Sequence, residues 1–139
     1  MKMRYTLFEQ RKDTLLLMAR VLMMALFILF GWSKVTSFSG TVAYMASTGA
    51  PVPIVSAITA IVMELVVGIA LVFGFYTRPL ALVLAVYTLA TAFIGHRFWN
   101  MSGAARYNNL IHFYKNVSIF GGLLLLCVTG PGRYSIDRR

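Results

Sequence analysis

One carboxylate and one imidazole are the groups in this sequence best suited to acid–base chemistry. Glu64 stands near the middle of a long apolar segment, and no other charged residue lies within thirteen positions of it. A charged side chain at the centre of a membrane helix costs about 2.5–3.5 kcal/mol on insertion scales, so such a residue usually has a partner or a task. His96 ends the next apolar segment, and an imidazole changes charge near neutral pH. We therefore predict that Glu64 and His96 are catalytic residues that relay protons.

Further polar residues are predicted to bind a ligand above Glu64. Arg20 and Lys34 fall on one face of the first apolar segment at helical spacing, and the others open the fourth apolar segment at the level of His96. This predicted ligand-binding set is Arg20, Lys34, His112, Lys115 and Asn116. At 1.5 Å per residue, Arg20 lies ~9 Å and Glu64 ~15 Å from the same membrane edge, which predicts an Arg20–Glu64 ion pair.

A purely structural interpretation of these residues stays open. Arg20, Lys34 and Lys115 can extend along the helices to lipid head groups. His96 and His112 fit an interfacial position without any catalytic role, and Glu64 fits a structural ion pair. We predict no metal site, because two histidines without a nearby carboxylate or cysteine cluster are too few ligands. The sequence has a single cysteine, Cys127, and no nucleotide-binding fingerprint.

The composition indicates which kind of fold must position these groups. The chain has 139 residues, which fits a single domain spanning 1–139. Hydrophobic residues make up 59% and charged residues 12%, about half the charge of a soluble domain. The net charge of +9 would suggest nucleic-acid binding in a soluble protein. Here the cations flank apolar segments, so we expect the lipid bilayer, and no nucleic acid, as the partner.

Four apolar segments are each long enough to cross a bilayer as a helix: 14–33, 55–75, 79–95 and 110–129. A β-barrel is excluded because the segments are continuously apolar rather than alternating. Between the first two, Ser39 is a candidate N-cap, and Gly49 and Pro51 end the apolar stripe that follows it. We predict an all-α fold: a polytopic four-helix transmembrane bundle with a short interfacial helix in the first outer loop.

The positions of lysine and arginine predict the orientation of this bundle. If both termini are cytoplasmic, eight cations lie on the inner side and four on the outer side. The inner eight are Lys2, Arg4, Arg11, Lys12, Arg78, Arg133, Arg138 and Arg139, and the outer four are Lys34, Arg97, Arg106 and Lys115. We therefore predict a multi-pass protein with cytoplasmic N and C termini.

Several short motifs, in order, resemble the DoxX family of small bacterial inner-membrane proteins, and within it the YphA-type members. The first group of motifs comprises Arg20, Gly31-Trp32-Ser33-Lys34, Gly49-Ala50-Pro51, Glu64 with Gly68, Gly74-Phe75-Tyr76-Thr77-Arg78, and His96. The YphA-type resemblance adds the segments 40–47 and 115–119, and the ending Gly130-Pro131-Gly132 followed by Asp137-Arg138-Arg139. The resemblance spans nearly the whole chain.

This resemblance implies a four-helix bundle in the cytoplasmic membrane. It also implies a redox context, since the family name is tied to a subunit of a thiosulfate:quinone oxidoreductase. We expect a redox-associated subunit that binds a quinone or similar lipid-soluble molecule near the outer face, with a redox protein or a second copy as partner. Two alternatives stay open: a non-catalytic scaffold that docks a protein or anionic lipid, and a small proton-coupled transporter.

Overall fold

The computed structural model describes residues 7–138. Lys2, Arg4 and Arg139, which contribute to the orientation prediction, lie outside the described residues. Four long apolar helices dominate the structure: α1 (Lys12–Thr36), α3 (Pro53–Phe73), α4 (Thr77–Gly95) and α5 (Gly103–Thr129). A short helix, α2 (Phe38–Ser47), connects α1 to α3. This arrangement confirms the predicted all-α fold with four membrane-crossing helices and a short helix between the first two.

The helices form two halves that meet at one end of the bundle. The first half contains α1, α2 and α3, and the second contains α4 and α5, which pack extensively on each other. Close backbone contact between the halves runs mainly through Val62–Val67 and Gly68–Phe73 of α3 against α4. We call this the closed end of the bundle. At the opposite end, which we call the open end, the two halves separate.

The buried core fills the closed end and its side chains come from all four long helices. Its members are Met24, Phe27, Val67, Leu71, Ala81, Leu84, Ala85, Leu123 and Leu126. On α1 the buried residues are Arg20, Met24, Phe27 and Gly31, which is the face that the helical spacing predicts. Burial of this stripe fixes the rotation of α1, and Lys34 follows on the same face at the open end.

The boundaries of two elements differ from the prediction. Helix α2 begins at Phe38, ahead of Ser39, so the prediction that Ser39 caps this helix is wrong. Gly49 does lie just beyond its end, with φ of +73°, a conformation that glycine adopts without a steric penalty. Helix α5 begins at Gly103 rather than near residue 110, because its first turns carry polar residues that hydropathy does not mark as membrane-spanning.

The C-terminal segment folds back across the closed end. The guanidinium of Arg20 donates hydrogen bonds to three carbonyl oxygens, those of Val72, Pro131 and Tyr134. The carboxylate of Asp137 accepts hydrogen bonds from the backbone amides of Tyr76 and Thr77 at 2.9 and 2.8 Å. These amides begin α4, where a carboxylate is favourable because the first amides of a helix have no intrahelical partner. Residues distant in sequence therefore hold this end together.

Candidate functional site

Glu64 lies in a π-helical segment of α3, Val62–Val67. Such a segment inserts an extra residue into a helical turn and is frequent at functional sites. The backbone here lies directly against Gly31 of α1, so that a Cβ on Gly31 would be 2.8 Å from the amide nitrogen of Leu65. Only glycine allows the two helices to approach this closely. The contact places the next turn of α1, which carries Lys34, beside Glu64.

The carboxylate of Glu64 is shared between a cation and a phenol. Lys34 Nζ lies 2.7 Å from Glu64 Oε2 and forms a salt bridge. The hydroxyl of Tyr87, on α4, donates to Glu64 Oε1 at 2.8 Å. Glu64 is only 9% exposed. A buried charge in an apolar setting needs partners, and each oxygen of this carboxylate has one. The Tyr87 bond also links the two halves of the bundle where they begin to separate.

A cavity of about 830 Å³ opens above this triad, between the separated parts of the two halves. Glu64 and Tyr87 lie on its wall together with apolar side chains from α1, α3 and α4. Phe30, Val55 and Ile94 are exposed apolar residues that also line it. All three belong to helices that are long and apolar enough to cross a membrane.

Two histidines line the same cavity on the second half of the bundle. The rings of His96 and His112 lie with their centroids 5.1 Å apart and their planes tilted by 32°. His96 Nδ1 is 3.0 Å from Asn109 Oδ1, and His112 Nδ1 is 3.1 Å from Lys115 Nζ. One turn further along α5, Asn116 donates to the hydroxyl of Thr91 at 3.2 Å. The cavity thus has a polar wall opposite its apolar lining.

Helix α2 covers the cavity at the open end. Thr41, Tyr44 and Met45 contribute side chains to its lining. Burial raises the pKa of the Tyr44 phenol, so this hydroxyl stays protonated and can donate a hydrogen bond. From the second half of the bundle, Arg97 Nη2 donates to the carbonyl oxygen of Thr48, at the end of α2. This hydrogen bond joins the two halves across the top of the cavity.

The amino-acid sequence of this chain is similar to those of known proteins. The DoxX family model matches residues 15–97, the region that contributes Lys34, Glu64, Tyr87 and His96. The chain belongs to the DoxX family. It is 53% identical over 137 residues to inner membrane protein YphA of Escherichia coli, covering 99% of this chain and 98% of that protein. This match extends through α5 and therefore also spans His112, Lys115 and Asn116.

Other relatives of this DoxX protein cover different shares of it. Inner membrane protein YqjF of Escherichia coli is 46% identical over 133 residues, which is 94% of this chain and 95% of that protein. A surfeit locus protein 4 homolog of Schizosaccharomyces pombe is 36% identical over 70 residues, covering 49% of this chain and 23% of that protein. No solved structure gives a significant match. The bacterial relatives and the four apolar helices make this a multi-pass inner-membrane protein.

The structure brings together all but one of the residues predicted for the site. Six of the seven predicted residues line the same cavity: Lys34, Glu64, His96, His112, Lys115 and Asn116. Arg20 is the exception, and the predicted Arg20–Glu64 ion pair is wrong. Arg20 lies two turns closer to the N terminus of α1 than Phe27, and its guanidinium binds backbone carbonyls at the closed end. Lys34 takes its place as the cation beside Glu64.

Tyr87 and Asn109 are among the residues of the site that the sequence pattern did not predict. Tyr87 sits in the middle of an apolar segment, away from the membrane interfaces where tyrosine is usually enriched. A buried phenol needs a hydrogen-bond partner, so this position was a signal for a polar group opposite it. Asn109, which contacts His96, offered no comparable signal, because it precedes the apolar segment from which α5 was predicted.

Proposed function

We propose that this DoxX protein binds a lipid-soluble molecule with a small polar head group, a quinone being the class that fits best, and acts as a redox-associated membrane subunit. The observation that carries this proposal is the cavity of about 830 Å³, with Glu64, Lys34 and Tyr87 on one wall and His96 and His112 on another. Its size lies within the roughly 300–1,000 Å³ of typical ligand sites. The exposed apolar residues in its lining, Phe30, Val55 and Ile94, suit a ligand that enters from the bilayer.

The chemistry of the lining supports a quinone head group. A quinone ring is apolar on both faces and presents carbonyl oxygens, which accept hydrogen bonds at its edges. Lys34 uses one of its three ammonium hydrogens on Glu64, so two remain for a ligand. Tyr44 adds a phenol donor from α2. Aromatic and aliphatic side chains such as Phe30 and Ile119 supply the apolar surface that a ring and its tail contact.

The same lining contains groups able to exchange protons. Reduction of a quinone to a quinol consumes two electrons and two protons. We propose that a partner redox protein supplies the electrons, and that Glu64 and His96 relay the protons. Glu64 suits this role because its carboxylate accepts hydrogen bonds from an ammonium and a phenol. These hydrogen bonds connect it to groups with which it can exchange a proton. His96 suits this role because its imidazole lines the cavity and has one nitrogen that donates and one that accepts.

The test is direct quinone binding by the purified protein in lipid nanodiscs. Native mass spectrometry and quenching of tryptophan fluorescence would report binding of a short-chain ubiquinone. We expect saturable binding that weakens at least about tenfold in Glu64→Gln and His96→Ala, corresponding to about 1.4 kcal/mol for each lost interaction. Arg106→Gln, on α5 but outside the cavity, is the matched control and should bind like the parent protein. Absence of quinone binding, or binding by both site variants that equals that of the parent protein, would overturn the proposal.

One observation favours a second candidate, a scaffold that docks another protein at the open end. Aromatic side chains cluster there and contact each other edge to face: Phe93, Phe98, Trp99, Phe113 and Tyr114, of which Phe93, Trp99 and Tyr114 are exposed. Such residues are enriched at the centres of protein interfaces. A scaffold would tolerate Glu64→Gln and would lose a co-purifying partner on Trp99→Ala. The quinone hypothesis predicts the reverse sensitivity.

A further inference from the structure

The amide of Asn109 fixes which nitrogen of His96 carries a hydrogen. Asn109 Nδ2 donates to the carbonyl oxygen of Ala105 at 3.0 Å, which sets the orientation of the amide. Its oxygen, Oδ1, therefore faces His96 Nδ1, at 3.0 Å. An amide oxygen only accepts hydrogen bonds, so Nδ1 of His96 must be the donor. In the neutral ring the lone pair then lies on Nε2, which can accept a hydrogen bond or a proton.

Lys115 imposes the opposite assignment on His112. Its ammonium has three donors and no acceptor, and it lies 3.1 Å from His112 Nδ1. Nδ1 of His112 must therefore accept this hydrogen bond, which leaves the ring neutral with its hydrogen on Nε2. Nε2 of His112 is consequently a hydrogen-bond donor. The two residues are of the same type but have complementary roles, because each Nδ1 meets a different partner.

The rings of the two histidines lie next to each other. Both rings line the cavity and lie with their centroids 5.1 Å apart. Within residues 7–138, neither Nε2 has a hydrogen-bond partner in the protein. An acceptor on one ring and a donor on the neighbouring ring match a group that both donates and accepts. A hydroxyl does this with a single oxygen, whereas a carbonyl oxygen can only accept.

We propose that this pair recognises a hydroxyl on the ligand's head group, so that the site binds a phenol or quinol in preference to the matching ether or quinone. The hydroxyl donates to Nε2 of His96 and accepts from Nε2–H of His112. A carbonyl would satisfy His112 and leave His96 without its partner. This inference rests on the proposed function, since it names the form of the ligand that the same cavity binds. Asn109 acts in it as a positioning residue, through His96.

A matched pair of probes separates this inference from the proposed function. Para-dodecylphenol and para-dodecylanisole share the ring and the alkyl chain, but only the phenol can donate a hydrogen bond. We expect the full-length protein in nanodiscs to bind the phenol at least about tenfold more tightly, as one added hydrogen bond of about 1.4 kcal/mol implies. Equal binding, or tighter binding of the anisole, would overturn the inference and leave the proposed function standing. If neither probe binds but the short-chain ubiquinone does, the inference is overturned and the proposed function stands; if none of the three binds, both are overturned.

Variants of Asn109 test whether it sets the preference. Asn109→Ala frees Nδ1 of His96, so the ratio of phenol to anisole affinity should fall towards one. Asn109→Asp keeps an acceptor oxygen at the same place and should restore the ratio. Asn108→Ala removes the neighbouring exposed amide and is the matched control. A ratio that is unchanged in Asn109→Ala would overturn the positioning role, even if that variant binds both probes more weakly.

The tautomers can also be observed directly. The chain has two histidines, so ¹⁵N spectra of selectively labelled, tag-free protein contain two pairs of imidazole nitrogen signals, which His112→Gln assigns. We expect a hydrogen on Nδ1 of His96 and on Nε2 of His112. Loss of the first signature in Asn109→Ala, with His112 unchanged, would support the inference. The same tautomer on both rings in the parent protein would overturn it.

Discussion

Gly31 of α1 packs directly against the backbone of Leu65 in the π-helical segment of α3: a methyl group on Gly31 would lie 2.8 Å from the Leu65 amide nitrogen. Because the obstructing atoms belong to the backbone, Gly31→Ala must push the two helices apart. We expect it to lower the free energy of unfolding by about 1–3 kcal/mol, the usual cost of overpacking. Since the contact also positions Lys34 beside Glu64, ligand binding should weaken too.

Gly121 supplies the control for this prediction. It also lies within a long helix, α5, but a Cβ added there would meet nothing within 4 Å. Gly121→Ala should therefore leave the protein unchanged or stabilise it by roughly 0.5–1 kcal/mol, the advantage of alanine over glycine inside a helix. Thermal unfolding of both variants in the same detergent provides the comparison. Equal stability of the two would contradict the close approach at Gly31.

The Lys34–Glu64 ion pair leads to a second prediction, which a double-mutant cycle can test. Removing one member of a largely buried pair leaves the other charge without its partner and costs about 3–5 kcal/mol. Lys34 is about a fifth exposed, so we expect Lys34→Met to lie at the lower end of that range. In a Glu64→Gln background the same change should cost much less. Additive effects of the two substitutions would show that the pair does not form.

The helices were predictable because the physics that specifies them is local. A membrane-crossing segment must close its own backbone hydrogen bonds, so the apolar segments locate all four long helices. The spacing of Arg20, Met24, Phe27 and Gly31 gave the buried face of α1 for the same reason. The start of α5 was missed because its first turns, from Gly103, are polar, and helix formation there does not depend on apolarity.

The partners within the site were harder to predict, since they depend on how the helices pack. Residue spacing gave the depths of Arg20 and Glu64, but not the C-terminal segment that folds back to offer carbonyls to Arg20. Nor does the sequence pattern reveal the π-helical turn at Glu64. Lys34 was correctly assigned to the same end of the bundle as His96. The length of each apolar segment is enough to predict at which end of the bundle its last residues lie.

Arg20 leads to a third prediction, on stability rather than ligand binding. Hydrogen bonds from a charged group contribute about 1.5–3 kcal/mol each, and Arg20 donates to three carbonyl oxygens. We expect Arg20→Met to lower the free energy of unfolding by at least about 3 kcal/mol, given that the bonds are not independent. Arg20→Lys should recover only part of this, because one ammonium cannot replace the planar fork of the guanidinium.

Lys12→Met is the control for Arg20, since Lys12 is an exposed cation at the start of the same helix. Exposed substitutions of this kind usually change stability by less than about 0.5 kcal/mol. Reversible unfolding in mixed detergent micelles would compare the three variants. A loss of quinone binding by Arg20→Lys without any loss of stability would contradict the structural role that the geometry gives Arg20.

Arg97 leads to the fourth prediction, on the dynamics of the cavity's cover. Its guanidinium donates both to the carbonyl of Ile94, in its own half of the bundle, and to that of Thr48, at the end of α2 in the other half. Arg97→Ala removes this bridge, so the backbone amides of α2 should exchange with deuterium several-fold faster. Exchange in the part of α1 that is N-terminal to Phe27 should stay unchanged, because the buried core there is intact.

Arg106→Ala is the control, since Arg106 lies over the ring of Phe98 and is not bonded to α2. Equal exchange of α2 in the two variants would mean that its packing on α3, rather than Arg97, keeps the cavity covered.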